Sequence, residues 1–135
     1  MTPDESIWAE LIEQAWQARE RAYAPYSNFK VGACLLTAEG ERFSGCNVEN
    51  LSFGLTMCAE RVAVGSMIAA VGRRDVVAVA VVADTEPPLS PCGACRQVLA
   101  EFGDPVIRLV GRDEVWEQFT LQQLLPRART GILER

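Results

Sequence analysis

The sequence predicts an α/β domain in which helices cover both faces of a mixed five-stranded sheet. The 135 residues are enough for one compact domain and too few for two, so we expect residues 1–135 to form a single domain. The run VVAVAVVA at 76–83 shows no alternation, which is typical of a central strand covered on both faces. Helical and strand-like patterns follow one another in the order αββαβαββα, which indicates helices layered on a sheet.

The first predicted helix begins near the start of the chain. Thr2 is suited to be its N-cap, Pro3 occupies the first helical position, and Glu5 completes a capping box. Apolar residues then recur with a helical period. Because Pro25 disfavours helical backbone at the residue before it, we expect the helix to end near Tyr23.

Two strands, a loop and a second helix follow. The strand-like runs 31–37 and 41–46 flank a glycine-containing turn, which predicts a hairpin. Residues 47–56 are rich in Asn, Ser and Gly and are therefore predicted to form a loop. The segment 57–71 is apolar almost all round a helix, which indicates a buried helix.

The second half of the chain adds the remaining elements around the central strand. Ser90 as N-cap and Pro91 as first residue predict a third helix that continues to about Phe102. Buried-type strands are expected at 106–110 and, more weakly, at 115–119. A short last helix should open with the capping box of Thr120 and Gln123 and end before the next proline; its residues are LQQLL.

Composition and charge exclude several function classes. The net charge of −5 and the isoelectric point of about 4.8 argue against a protein that grips long nucleic acids, which requires a basic face. A small neutral ligand is compatible with that charge. No apolar run is long enough to span a membrane, and the acidic start MTPDESIWAELIEQ lacks the layout of a signal peptide. We therefore expect a cytoplasmic protein that does not bind membranes.

The chain contains five cysteines and no histidine, which narrows the possible chemistry. In a reducing cytoplasm, a tight cysteine pattern is typical of metal binding or catalysis rather than of disulfides. Without histidine there is no Ser-His-Asp triad and no Cys-His pair. A soft-metal site must use thiolates, and a general base near neutral pH must be a carboxylate, lysine, tyrosine or metal-bound water.

Three cysteines lie at the starts of predicted helices and together could bind a metal. Cys58 lies at the start of the second helix, and Cys92 and Cys95 lie in the first turn of the third. The three-residue spacing puts the latter two sulfurs on one helix face. Helix N-termini stabilise thiolates, and three protein ligands plus a water is the arrangement of catalytic zinc sites. The pattern indicates an open zinc site whose water ionises near neutral pH.

Charged residues next to these cysteines could support that chemistry. Three thiolates around a dication leave one net negative charge, which weakens the acidification of a bound water. A nearby cation would offset this charge, and Arg61 and Arg96 are both candidates. Glu60 is expected to lie beside the metal water without binding the metal.

Two other interpretations of the cysteines remain open at this point. Cys34 and Cys46 occur in strand-like runs and are typical of small buried hydrophobes, but one of them could complete a closed structural site with four cysteines. The CGAC segment at 92–95 could instead be a redox pair of the thioredoxin type. Neither alternative uses the carboxylate of the CAE segment at 58–60, which favours the catalytic site.

Four segments and their order resemble a known family. AYAPYSNFKVGA at 22–33, GCNVENLSFGLTMCAER at 45–61, SPCGACRQVLAEF at 90–102 and LLP at 124–126 are similar to the small homotetrameric zinc-dependent cytidine deaminases of the cytidine/deoxycytidylate deaminase superfamily. The resemblance covers nearly the whole chain, and CAE followed by PCxxC about thirty residues later matches the zinc deaminase signature. It implies a three-layer α/β/α cytidine deaminase-like fold with a five-stranded mixed sheet.

The resemblance also implies a reaction and a set of catalytic roles. Cys58, Cys92 and Cys95 would bind one Zn²⁺ per chain. A zinc-activated hydroxide would attack the amino-bearing ring carbon of cytidine or 2′-deoxycytidine, with Glu60 as proton shuttle, to give uridine or 2′-deoxyuridine and ammonia in pyrimidine salvage. Arg61 would hydrogen-bond the ligand sulfurs and tune the charge of the metal.

Substrate contacts and assembly follow from the same resemblance. Phe29 would pack on the pyrimidine, Asn47 and Glu49 would hold the ribose hydroxyls, and the backbone of Ala59 would meet the base carbonyl. The partner is thus a small nucleoside, and the implied assembly is a homotetramer with active sites at subunit interfaces. Arg129 stands where family members often have an aromatic residue that reaches a neighbouring active site; it belongs either to a solvated basic tail or to such a pocket.

The alternative enzymatic function is deamination of a modified cytosine nucleoside, such as a blasticidin-type antibiotic, instead of cytidine. The intact AYAPYSNF and CNVEN segments favour ordinary nucleosides.

Overall fold

A five-stranded mixed sheet forms the centre of the structure, a computed structural model that describes residues 2–128. The strand order is β2-β1-β3-β4-β5, and β3 and β4 run parallel while the other neighbouring pairs are antiparallel. The strand bounds are β1 Val31–Thr37, β2 Arg42–Cys46, β3 Val76–Ala83, β4 Val106–Val110 and β5 Trp116–Thr120. The predicted mixed sheet is confirmed.

Helices cover both faces of this sheet, as predicted. Their bounds are α1 Glu5–Arg19, α2 Ala59–Val71, α3 Gly93–Ala100 and α4 Leu121–Leu124. On one face, α1 packs Trp8 and Leu11 against alternate residues of the central strands, including Ala80. On the other face, α2, α3 and α4 pack against the intervening residues, including Val79 and Val81. Within residues 2–128, no helix is long and apolar enough to cross a membrane.

Two helix starts and two helix ends differ from the sequence prediction. Asp4, not Thr2, is the N-cap of α1, because its carboxylate accepts a hydrogen bond of 2.9 Å from the backbone N–H of Ile7. Ser90 is not the N-cap of α3, because its hydroxyl is used as an acceptor by Arg96; the N-cap is Cys92. Both helices end earlier than predicted, in tighter turns with i→i+3 backbone bonds. The capping box that opens α4 is confirmed.

Two close backbone contacts hold helices on the sheet. A Cβ atom on Gly45 of β2 would lie 2.5 Å from the carbonyl oxygen of Ala59, so the first turn of α2 rests directly on this strand. A Cβ atom on Gly32 of β1 would lie 1.9 Å from the carbonyl oxygen of Ala15 in α1. Glycine permits both approaches, and the first fixes the position of the α2 N-terminus relative to the sheet.

Candidate metal centre

Three cysteine sulfurs meet at the N-termini of α2 and α3. Cys58 is the N-cap of α2, Cys92 is the N-cap of α3, and Cys95 is the third residue of α3. The Sγ atoms of Cys58 and Cys92 are 3.9 Å apart, and those of Cys92 and Cys95 are 3.5 Å apart. All three sulfurs lie within 4.8 Å of one another. The structure thus brings together the three predicted metal ligands from two separate segments.

These sulfurs have the spacing of ligands around one tetrahedral metal ion. Zn–S bonds of about 2.3 Å place two ligands at tetrahedral angles about 3.8 Å apart. The Cys58–Cys92 and Cys92–Cys95 sulfur separations of 3.9 and 3.5 Å are close to that value. Three thiolates occupy three corners of the tetrahedron and leave one for a water or substrate, which is the arrangement of a catalytic zinc site.

The two cysteines of α3 differ in acidity. Partial burial opposes ionisation of Cys92, but the backbone N–H groups of Cys95 and Ala94 and hydrogen bonds from neighbouring thiols outweigh it, so the pKa of Cys92 is below its ordinary value. Cys95 is buried, and burial together with the negative charges of Glu60 and Cys58 raises its pKa. A bound dication would supply the positive charge that Cys95 needs to become a thiolate.

Arg61 is the predicted cation that lies next to the cysteine sulfurs. Its Nη2 atom donates to the Sγ of Cys58 at 3.3 Å, and this bond is the main reason why the pKa of Arg61 is raised. The second candidate, Arg96, directs its guanidinium to Pro91, Leu124 and Ser90 instead. Of these two arginines, Arg61 is therefore the one that donates to a sulfur of the cluster.

Glu60 places a buried carboxyl group against the same cluster. Glu60 is only 4% exposed and is the second residue of α2. Burial raises its pKa, while its own backbone N–H, the charge of Arg61 and a hydrogen bond from Cys95 oppose the rise. A carboxyl group with a raised pKa beside a metal site is well suited to accept and donate protons.

Hydrogen bonds connect Asn47 and Phe29, two of the predicted substrate-binding residues. The buried amide of Asn47 accepts from the backbone N–H of Val31 at 2.9 Å and donates to the carbonyl of Phe29 at 2.8 Å. Val48 exchanges two backbone hydrogen bonds with Met57, the residue before Cys58. This pairing places the segment that carries Asn47 next to the metal centre.

Glu49 is held by the loop that precedes Phe29. Its carboxylate accepts from the backbone N–H groups of Tyr26 and Ser27 and from the hydroxyl of Ser27. The Ser27 hydroxyl is the main cause of the lowered pKa of Glu49. Phe29 is partly exposed, at 39%, whereas Ala59 at the start of α2 is fully buried.

Sequence reasoning missed Ser27. Its hydroxyl also accepts a hydrogen bond of 3.0 Å from the backbone N–H of Phe29, so one side chain bridges two predicted substrate contacts. The intervening Asn28 has a φ of 57°, in the left-handed region that Asn tolerates better than most residues. The Ser-Asn pair in YSNF, both turn-forming residues, was the available signal.

The two remaining cysteines do not join the metal centre. Cys34 is buried on the α1 side of the sheet, where its thiol contacts Gln14 at 3.3 Å and burial raises its pKa to about 12. Cys46 is half-buried at the end of β2. A closed four-cysteine site is therefore not formed by the five cysteines, all of which lie in the described part of the chain. The redox interpretation leaves the contribution of Cys58 unexplained.

Comparisons with known proteins agree with this geometry. The family model for the cytidine and deoxycytidylate deaminase zinc-binding region matches residues 6–110. A cytidine deaminase from Halalkalibacterium halodurans is 52% identical over 90% of this chain and 92% of its own length. A crystal structure of cytidine deaminase from Burkholderia pseudomallei superposes with a TM-score of 0.85 at 50% identity, and the match covers 90% of this chain and 98% of the other.

The antibiotic deaminases are more distant relatives. A blasticidin-S deaminase from Bacillus cereus is 29% identical over 87% of this chain and 88% of its own length. Arg129, the predicted departure from the family pattern, lies outside the described residues.

The match over residues 6–110 and the close relatives over most of the chain establish that this protein belongs to the cytidine and deoxycytidylate deaminase family.

Proposed function

We propose that this protein hydrolyses cytidine and 2′-deoxycytidine to uridine and 2′-deoxyuridine with release of ammonia, using one Zn²⁺ per chain. The observation that carries the proposal is the convergence of three thiols within 4.8 Å with the buried carboxyl of Glu60 against Cys95. The identity of 52% to a cytidine deaminase supports an ordinary cytosine nucleoside over a modified one.

Each catalytic residue has a defined task in this proposal. Cys58, Cys92 and Cys95 hold the zinc. When bound, zinc acts as a Lewis acid and lowers the pKa of a bound water to near neutral. Glu60 accepts a proton from the attacking water and passes it to the ring nitrogen beside the amino-bearing carbon. It then takes the second proton from the oxygen newly bound to that carbon and delivers it to the departing amino group. The new C–O bond replaces the C–N bond, and ammonia leaves. Arg61 offsets the excess negative charge of the thiolates.

Four residues are proposed to bind the nucleoside. Phe29 packs on the pyrimidine ring, Asn47 and Glu49 hold the ribose hydroxyls, and the backbone of Ala59 meets the base carbonyl. The support is the hydrogen-bonded network that joins the first three and the pairing of Val48 with Met57 beside the metal centre.

We further propose a cytoplasmic homotetramer with active sites at subunit interfaces. The apolar side chains of Leu51, Phe53 and Leu55 are 67–79% exposed in this chain and lie between the ribose-binding segment and Cys58. Such a patch next to a site is suited to burial against another subunit. Five unpaired cysteines support a reducing compartment, and the net charge of −5 is unfavourable for long nucleic acids.

Removal of the Ser27 hydroxyl should weaken substrate binding more than catalysis. In Ser27→Ala, both Glu49 and the backbone of Phe29 lose a partner, so two proposed substrate contacts are less well positioned, and we expect about a tenfold rise in KM. We expect kcat to change less than threefold. Steady-state kinetics with cytidine measure both constants.

Ser6→Ala is the matched control, because the Ser6 hydroxyl also donates to a carboxylate, that of Asp4, at the remote end of α1. It should leave KM unchanged. An unchanged KM in Ser27→Ala would contradict the proposed substrate-binding role of this network.

A substrate panel tests the proposed function. Purified protein with its zinc content measured is mixed with cytidine, 2′-deoxycytidine, 2′-deoxycytidine 5′-phosphate and blasticidin S, and the loss of ultraviolet absorbance is followed. We expect turnover of the two nucleosides. Turnover of blasticidin S without turnover of cytidine would establish the antibiotic deaminase instead.

A further inference from the structure

The guanidinium of Arg96 connects the segment before Cys92 to the end of α4. Its Nε atom donates to the carbonyl of Pro91 at 2.9 Å, and its Nη2 donates to the hydroxyl of Ser90 at 2.8 Å. Its Nη1 donates to the carbonyl of Leu124 at 2.7 Å. All three are short, well-formed hydrogen bonds.

Two of these bonds hold the segment that delivers a zinc ligand. The Pro91 carbonyl belongs to the peptide group that is bonded to the nitrogen of Cys92, so its orientation determines where that residue begins. The approach to Cys92 contains Pro87, Pro88 and Pro91, none of which has an N–H to donate. Because the segment can donate few backbone hydrogen bonds, the donors of Arg96, which bind its acceptors, help to hold it in place.

The third bond reaches the C-terminal helix. The Leu124 carbonyl is one of the last carbonyls of α4, which lack partners within their own helix. Arg96 satisfies it and thereby connects α4 to the segment before Cys92. The contact adds a direct hydrogen bond between the last described helix and the helix that carries Cys95.

We propose that Arg96 is a positioning residue for zinc: it fixes the ligand Cys92 and makes the retention of the metal depend on α4. Arg96 donates to none of the three sulfurs in the hydrogen bonds described, so it acts through the backbone before Cys92. Lysine cannot replace it, because the rigid fork of the guanidinium serves three acceptors at once. The inference rests on the proposed zinc site.

Zinc release and the cobalt spectrum of Arg96→Lys test this proposal. Release of zinc from the loaded protein is timed with a chromogenic chelator, and absorption is recorded after replacement of zinc by Co²⁺. We expect release about 10-fold faster than in the parent protein, and a shifted thiolate-to-cobalt band, because residues that orient ligands typically contribute this much to metal affinity. Ser90→Ala removes one of the three contacts and should accelerate release by a smaller factor.

The matched control is Arg112→Lys. Arg112 also bonds to the loop before α3, through Asp84, but it does not contact the segment 90–92. It should release zinc at the parent rate. If Arg96→Lys lowers the melting temperature while its zinc release and cobalt spectrum match the parent protein, Arg96 is only a stabilising residue and the proposal is wrong. A parent protein that holds zinc through thiolates but fails to deaminate cytidine would overturn the proposed function and leave this inference standing.

Discussion

Glu60→Gln should retain one zinc per chain and lose about 10³-fold or more in kcat with cytidine. The amide has nearly the same shape as the buried carboxyl, so α2 and the sulfur cluster should be preserved. An amide cannot accept a proton from water or deliver one to the leaving amino group, and general acid–base catalysis typically contributes 10²- to 10⁴-fold per positioned group. Steady-state kinetics and metal analysis of one preparation measure both quantities.

Glu101→Gln is the control for this variant, because Glu101 lies at the C-terminal end of α3, away from the sulfurs. It should keep the parent rate. A Glu60→Gln protein with more than about a tenth of parent activity would show that another group carries the proton transfers.

Cys95→Ser should abolish stoichiometric zinc binding and, with it, activity. The substitution removes one of three sulfurs that lie within 4.8 Å of one another, and two remaining thiolates are a poor zinc site. We expect less than about 0.1 zinc per chain after dialysis and no measurable uridine formation. Atomic emission spectroscopy and the absorbance assay report the two results.

Cys34→Ser provides a matched comparison. Cys34 and Cys95 are both fully buried, but Cys34 lies on the α1 side of the sheet and contacts Gln14. Its serine variant should lose some stability and keep one zinc and full turnover per folded chain. Loss of zinc from Cys34→Ser, or full zinc in Cys95→Ser, would mean that the ligand set is wrong.

The strands were more predictable than the helix ends. The run at 76–83 has a composition and length that suit a buried central strand, and the structure has β3 over the same residues. Helix ends depend on which of several polar side chains captures the free N–H groups. At α1, Thr2 and Asp4 are both suitable N-caps, and it is Asp4 that accepts from the N–H of Ile7. At α3, the hydroxyl of Ser90 accepts from Arg96 instead of capping the helix.

The same distinction applies to the site. Cys58, Cys92 and Cys95 were predictable because each follows a local pattern, and the structure brings their sulfurs together. Charge considerations alone left both Arg61 and Arg96 as candidates, because the choice depends on where each guanidinium points in the folded chain, and only the family resemblance favoured Arg61. The bridge made by Ser27 likewise joins segments more than twenty residues apart in sequence.

The stoichiometry of the reaction with and without metal tests the proposed zinc-dependent deamination most directly. Uridine and ammonia are quantified after incubation of cytidine with the zinc-loaded protein, with the protein after removal of zinc, and with the protein after zinc is restored. We expect one ammonia per uridine, loss of both products on removal of zinc, and their return on its restoration. A folded protein that carries one zinc per chain and forms no uridine would contradict the proposed deamination.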